Sequence, residues 1–339
     1  MQLSGPVFAT KAILDGRTYY LFSDRHNSIT GSCGGSCSDI SFDGVTSEGT
    51  DLCKTITRCI HDFVREGGDV YLEAPYVAKD SSKPPSLSED TDYIDRIVYI
   101  FHEDLLRRKR EVRDRGQMHY TDIRERFEGT YNSNGTRTML SANPFSGSVA
   151  TRHLSTVGAA GFQEAKAFLR FVLDNSWTIF DHYCGKGPMV LPSQKGHIFN
   201  EYRERILRMP ESYLKRVRMS RVAKQLRKLP PAMATTIEEW ARGRFAEELA
   251  MSENLFSTFS QSMPFAEMRV LPISCLVCLS SIIMDIYTLS RCFYQSKGDV
   301  LFYCGAAHIE NYIGFFRMIG ARIEEPSLPT RERCLLFKM

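Results

Sequence analysis

The sequence predicts an α/β fold with a mostly parallel central sheet flanked by helices and a helical insertion. Four apolar strand candidates alternate with segments whose apolar residues recur at helical spacing, which is typical of parallel sheets joined by crossover helices. The pair Asp15-Gly16 lies between the first of these strands and one further strand candidate before it, and indicates a hairpin. Hydrophobic residues make up 43% and charged residues 24% of the chain, so it can bury a substantial core.

The N-terminal half is predicted to supply most of the sheet. A two-residue turn at Asp15-Gly16 joins the first two strands. Apolar residues at helical spacing over 51–65 predict a helix that Gly67-Gly68 ends. The predicted elements of this half are strands at 7–14, 17–22, 69–73 and 118–124 and helices at 51–65 and 94–113.

The C-terminal half is predicted to be mainly helical before the chain returns to the sheet. The longest apolar run, 270–284, is shorter than the roughly 20 residues that a membrane-spanning helix needs, so we expect a buried helix. The N-terminus lacks the basic and apolar stretches of a secretory signal. The predicted elements of this half are helices at 162–180, 198–260 with a break at Pro230-Pro231, 273–293 and 310–318, and a strand at 299–304.

We expect a single α/β domain over 1–339 with a mainly helical, basic insertion at about 190–262. Within the insertion, 200–228 holds ten Lys/Arg against three Glu. Such a run fits an acidic protein surface or nucleic-acid phosphates, but a solvated helix face explains it better. The net charge of +3 adds no argument for a polyanionic partner. Aromatic residues are sparse in the run, which argues against stacking on single-stranded bases.

The ten cysteines are scattered through a chain without a secretory signal. This usage predicts reduced thiols and therefore a cytoplasmic location, or a virion assembled there. A four-thiolate zinc site built from Cys33, Cys37, Cys275 and Cys278 is the alternative. Because the second pair lies inside an apolar helical run, core packing explains it better.

Ionisable residues follow four of the predicted strands. Because the carboxyl ends of parallel strands meet at one edge of a sheet, these side chains are expected to surround one pocket. The candidate catalytic residues are Asp24, His26, Glu73, Asp122, Arg124 and His308.

This set of residue types suits hydrolytic chemistry. Imidazoles and carboxylates position and deprotonate a water, or bind a divalent metal, for which His26, Glu73 and His308 are the candidate ligands. Arg124 would hold a substrate anion. The alternative is structural, since strand-end carboxylates often cap helices or pair with arginine, and single histidines are often hydrogen-bonded core residues.

Four short motifs resemble, in their order, the erythromycin esterase/ChaN/TraB-like superfamily, and most closely an uncharacterised branch encoded by large DNA viruses. A helix before the last strand, 284–291, is also similar to that branch. The motifs are Ser23-Asp24-Arg25-His26, Leu72-Glu73-Ala74-Pro75, His119-Tyr120-Thr121-Asp122-Ile123-Arg124 and Tyr303-Cys304-Gly305-Ala306-Ala307-His308.

The resemblance implies an α/β fold with a site built from a Gly-Glu-x-His motif, a second Glu and a late Gly-x-x-His. Members of the superfamily include hydrolases, a haem-binding protein and toxin domains. This chain departs from the pattern, because Ser23 replaces the glycine and Asp24 replaces the glutamate. The aspartate is one methylene shorter, which sets its carboxylate back by about 1.5 Å.

The leading expectation is therefore a hydrolase-like pocket protein that acts on a small molecule or protein, with His26 or His308 as general base or metal ligand. The competing expectation is an inactive structural or interaction protein on the same fold, such as a minor capsid component of a virion. A haem or metal carrier is the third.

Overall fold

In the computed structural model the described residues are 2–24, 37–38, 50–75, 97, 116–123, 130–131, 137–138, 163, 165–187, 191–192, 196, 198–199, 221–262, 271–327, 329–331, 334–337 and 339. The chain divides into two compact units. The sheet unit comprises Met1–Asp122 and Gln295–Met339, and the helical unit comprises Ile123–Tyr294. The helix predicted at 94–113 lies outside the described residues except for Ile97, which is helical and buried.

The secondary-structure elements alternate irregularly between strands and helices along the chain. In chain order they are β1 (Gln2–Ser4), β2 (Phe8–Leu14), β3 (Arg17–Asp24), β4 (Cys37–Ser38), β5 (Thr50–Thr55), α1 (Ile56–Arg65), β6 (Asp69–Pro75), β7 (Met118–Asp122), β8 (Thr130–Tyr131), β9 (Arg137–Thr138), α2 (165–174), α3 (Ser176–Tyr183), α4 (Arg221–Leu226), α5 (Pro231–Ser262), α6 (Leu271–Gln295), β10 (Val300–Gly305), α7 (Ala306–Met318), β11 (Arg322–Ile323), β12 (Pro329–Arg331) and β13 (Cys334–Leu336).

The main sheet has six strands in the order β11-β2-β3-β10-β6-β7. Strands β3, β10, β6 and β7 run parallel to one another, which confirms the prediction that these four strands share one sheet. The α/β class is also confirmed. The prediction of a mostly parallel sheet was wrong, because β2 pairs antiparallel with β3 and β11 pairs antiparallel with β2, so the sheet is mixed.

The hairpin turn between β2 and β3 explains the antiparallel edge. Leu14 pairs with Arg17, and the two residues between them, Asp15 and Gly16, have φ angles of 50° and 77°. Type I′ turns require positive φ at both central positions, and their twist matches that of the two flanking strands. The predicted hairpin is therefore confirmed.

A second sheet of five strands, in the order β12-β13-β1-β5-β4, was not predicted. Residues 51–55 were expected to be helical but form part of β5, which pairs parallel with β1. The helix α1 begins only at Ile56, because the Thr55 hydroxyl accepts a hydrogen bond from the Arg58 backbone N–H at 3.2 Å and caps it.

A disulfide joins Cys37 of β4 to Cys53 of β5. The expectation of reduced thiols is therefore wrong for these two residues, which neighbouring strands bring together. The bond also removes Cys37 from the zinc alternative, while Cys33 lies outside the described residues. Five other cysteines in the described part of the chain form no disulfide.

The two faces of the main sheet are covered by different elements. On one face, α7 packs against β3 and β10, with Phe316 of α7 4.5 Å from Tyr19 between ring centroids. On the other face, Tyr20 makes ring contacts with Phe63 of α1 and with Phe337. Successive residues of a strand point to opposite faces, so these contacts fix the direction of every side chain along β3.

Within the described residues, the helices of the helical unit follow the predicted ones with one change. The helix expected at 162–180 is interrupted at Asn175, whose side chain donates to the Phe171 carbonyl at 2.7 Å. The helices α4 and α5 are separated at Pro230, as predicted. Much of the predicted basic run lies outside the described residues, and of its described members Lys224, Arg227 and Lys228 are exposed.

Helix α6 is the apolar helix predicted at 273–293. By length and composition its segment Leu276–Gln295 could cross a membrane, but 78% of its most apolar stretch is buried within the chain. The prediction of a buried helix is therefore confirmed.

Candidate functional site

The parallel register of three adjacent strands sets up the candidate site. Ser23 of β3 lies beside Cys304 of β10, and the pairing of β10 with β6 continues past Tyr303 and Leu72 to bring Cys304 beside Glu73. The three side chains therefore form a row on the face that α7 covers. This row stands at the carboxyl ends of the strands, where ligands bind in open α/β sheets.

Glu73 connects this row to the start of helix α7. Its Oε2 accepts a hydrogen bond from the backbone N–H of Gly305 at 2.6 Å, and its Oε1 lies 3.2 Å from Nε2 of His308. Helix α7 was expected to begin at about residue 310 but begins at Ala306. His308 therefore lies in the first helical turn, not in the loop before it.

The surroundings of this pair supply the Glu73 carboxyl group with donors at the start of α7. The N-terminus of α7 carries partial positive charge and N–H groups without intrahelical partners. Glu73 is 7% exposed and His308 is 3% exposed, so water screens their interaction weakly. A carboxylate beside Nε2 favours the imidazole tautomer that carries its proton on that nitrogen.

The register places the other two described candidates on the opposite face. Asp24 lies beside Gly305 in the sheet and is 1% exposed, but alternation along β3 puts it on the face of Tyr20 and Phe22. Asp122 lies beside Pro75 and follows Met118 and Tyr120, which pack in the core under that same opposite face.

Of the four described candidates, the structure thus brings Glu73 and His308 into contact and turns Asp24 and Asp122 away from them. We expected all four side chains to surround one pocket, and the structure corrects this. Asp24 is one residue beyond Ser23 along its strand, and both aspartates therefore point to the face opposite the row. His26 and Arg124 lie outside the described residues.

Sequence reasoning missed the role of Gly305. Its backbone N–H donates a hydrogen bond to Glu73. A pattern of side chains in the sequence does not reveal a backbone donor. The small residues 305–307 that follow an apolar strand were the available signal, because such residues allow a sharp passage from strand to helix.

A second histidine–carboxylate pair lies at the opposite end of β6. Nε2 of His119 is 3.7 Å from Oδ1 of Asp69, and the His119 ring stacks on Tyr71 at 4.5 Å. Burial acts to raise the pKa of Asp69, but the nearby His119 imidazole, together with hydrogen bonds from Ser296 and the Gln117 N–H, holds that pKa below its usual value. His119 therefore belongs to a strand-pairing network and not to the Glu73 site.

The described residues contain no group of three or more His, Cys, Asp or Glu side chains arranged to hold a metal ion. Glu73 and His308 supply two of the three proposed ligands, and His26, the third, lies outside the described residues.

No protein-family model, curated protein or solved structure matches the chain.

Proposed function

We propose that this protein is a hydrolase in which His308 is the general acid–base group. Glu73 orients the imidazole and stabilises its protonated form. The single observation that carries this proposal is the 3.2 Å contact between His308 Nε2 and Glu73 Oε1 at the carboxyl ends of parallel strands. When His308 takes a proton through Nδ1, the carboxylate stabilises the imidazolium that forms. Gly305 holds the carboxylate in place through its N–H.

The resemblance of four motifs to the erythromycin esterase/ChaN/TraB-like superfamily supports the same conclusion. The resemblance assigns its second Glu and its late His to Glu73 and His308, the two residues that are in contact. The superfamily's first Glu corresponds to Asp24, which faces the other side of the sheet. The proposal therefore gives Asp24 no part in proton transfer.

Hydrolysis of ester and amide substrates tests this proposal. Purified protein would be assayed with a panel of chromogenic acyl esters and anilides, alongside the variants His308→Gln and Glu73→Gln. Loss of a positioned general base typically costs 10²–10⁴-fold in rate, so we expect at least a 100-fold loss in His308→Gln.

A matched control is available in the same unit. His61 also lies beside a carboxylate, with Nδ1 3.6 Å from Asp62 Oδ1, but it sits on α1 away from the row. His61→Gln should keep the wild-type rate. Equal rates in wild type and His308→Gln, or no hydrolysis of any substrate by the wild type, would contradict the proposal.

The deep burial of the same pair favours a second candidate, an inactive structural or interaction protein such as a virion component. In that role the Glu73 contacts would only tie β6, β10 and α7 together, and the basic run at 200–228 would meet an acidic protein or a nucleic acid. This candidate predicts that Glu73→Gln and His308→Gln lower stability while the wild type hydrolyses nothing.

A further inference from the structure

The hydroxyl group of Ser23 is buried without a hydrogen-bond partner in the described part of the chain. Ser23 is 2% exposed, and its Oγ is among the buried polar atoms that the structure leaves unsatisfied. Burying such a hydroxyl is unfavourable, and an unsatisfied group in a native fold requires an explanation such as a ligand or a catalytic role.

The position of Ser23 supplies that explanation. It stands in the same row and on the same face as Glu73, with Cys304 between them. Since neighbouring strands lie about 4.8 Å apart, the Cα atoms of Ser23 and Glu73 are separated by roughly 10 Å. A histidine placed above the middle strand can therefore approach both side chains.

Helix α7 brings His308 to the face of the sheet that holds this row. The helix packs against β3 and β10, with Phe316 on Tyr19 and Tyr312 on Phe302 at 5.1 Å. From the first turn of this helix, the His308 side chain crosses towards β6 to meet Glu73. The imidazole thus contacts Glu73 on the face of the sheet that also carries Ser23, two strands away in the same row.

We propose that Ser23 is the nucleophile of an acyl-transfer site and that carboxylic esters are its substrate class; this inference rests on the proposed acid–base role of His308. Ser23 Oγ attacks the ester carbonyl carbon while its proton passes to His308 Nδ1. The bond to the leaving alkoxide breaks, and His308 returns the proton to that oxygen. Water then attacks the carbonyl carbon of the acyl-serine and gives a proton to His308. The bond between that carbon and Ser23 Oγ breaks, the carboxylic acid leaves, and Oγ takes the proton from His308.

The first turn of α7 suits the charge that develops in this step. The first N–H groups of a helix lack intrahelical partners, and that of Gly305 donates to Glu73 in the row. Ala306 and Ala307 are exposed and carry only methyl side chains, so an acyl group can approach the backbone closely. Backbone N–H groups of this kind stabilise the oxyanion of a tetrahedral intermediate.

Covalent labelling with an alkyl fluorophosphonate tests the inference without knowledge of the natural substrate. Attack by Ser23 forms a phosphorus–oxygen bond and releases fluoride, and the hydroxyl proton passes through His308 to solvent. Intact mass followed by peptide mapping should show one adduct per chain, located on Ser23. We expect no adduct in Ser23→Ala and labelling at least 100-fold slower in His308→Gln.

Ser176→Ala is the matched control, because Ser176 is also fully buried but donates a hydrogen bond to the Val172 carbonyl at 2.8 Å. It should label like the wild type. The melting temperature of each variant shows whether its fold is intact. Absence of an adduct on Ser23 in folded wild-type protein overturns the inference.

The outcomes separate this inference from the proposed function. If Ser23→Ala still hydrolyses esters and His308→Gln does not, water is the nucleophile. That result contradicts the role of Ser23 but supports His308 as the general base. If the wild type is labelled at Ser23 but hydrolyses no ester, the nucleophile is supported and the proposed hydrolysis fails. If neither labelling nor hydrolysis occurs, both fail.

Discussion

The backbone N–H of Gly305 donates to Glu73 Oε2 over 2.6 Å, so a carboxylate from strand β6 caps a helix that follows strand β10. Gly305 is the N-cap residue of α7 and has no side chain to perform this task. Usually the capping oxygen comes from the N-cap residue itself. In this protein it comes from a different strand, which couples the start of α7 to the parallel register of the sheet.

Removal of the Glu73 carboxylate should destabilise the sheet unit. Glu73→Ala leaves the Gly305 N–H and His308 without this buried acceptor, and we expect a loss of about 2–4 kcal/mol. Glu73→Gln keeps an acceptor oxygen but loses the charge, so we expect about 1–2 kcal/mol. Urea denaturation followed by circular dichroism measures both values.

The control for this series is Glu310→Gln, since Glu310 lies on the same helix and is exposed. It should change the unfolding free energy by less than about 0.5 kcal/mol. A Glu73→Ala variant as stable as this control would show that the capping contact contributes nothing.

The sheet was predictable where local patterns carry the information. Apolar runs and the Asp15-Gly16 turn sufficed for the hairpin and for β6, β7 and β10. The second sheet left no such pattern, because β1, β12 and β13 are three residues long and pair the two ends of the chain. Residues 51–55 were misassigned because Leu52 extends the helical spacing of α1, and the Thr55 cap was overlooked.

The site was partly predictable for a related reason. The predicted carboxyl ends of the strands locate the edge of the sheet at which the site lies, and this was enough to single out Glu73 and His308. They do not indicate the face, because a shift of one residue moves a side chain to the other side of the sheet. Asp24 was therefore preferred to Ser23, although only Ser23 lies in the row with Glu73.

Replacement of Ser23 by alanine should stabilise the protein while it removes activity. The Ser23 hydroxyl is buried without a described partner, so its removal relieves a desolvation penalty and should add about 1 kcal/mol. Ser176→Ala, which loses the hydrogen bond to Val172, should cost about 1 kcal/mol. Thermal and urea unfolding give both numbers, and a strongly destabilised Ser23→Ala would show that this hydroxyl has a structural partner.

Two buried thiols should be inert in the folded state. Burial raises the pKa of Cys59 to about 12 and that of Cys184 to about 12, and only thiolates react readily with alkylating and disulfide reagents. At pH 8 we expect both to react only after unfolding, whereas the less buried Cys278 should react first. Peptide mapping after timed exposure to iodoacetamide measures the order, and fast labelling of Cys59 in native protein would refute it.

Acid should weaken the fold through Asp69. The pKa of this carboxyl lies below its usual value in the folded state, so the folded state binds a proton less readily than the unfolded chain. The stabilisation is complete above the ordinary aspartate pKa of about 4 and is lost as the pH falls through the folded-state pKa. Asp69→Asn keeps an acceptor oxygen for the Gln117 N–H but removes the charge that faces His119.

The difference in melting temperature between wild type and Asp69→Asn should therefore be largest near pH 6 and should shrink below pH 4, because the wild-type carboxyl becomes neutral there. Thermal scans at half-unit steps from pH 7 to pH 2.5 measure it. Glu325→Gln is the control, since Glu325 is exposed and should follow the wild type at every pH. If the difference in melting temperature stays constant over this range, the charge of Asp69 does not stabilise the junction of β6 and β7. The junction is then held by the hydrogen bond from the Gln117 N–H and by the stacking of His119 on Tyr71 at 4.5 Å.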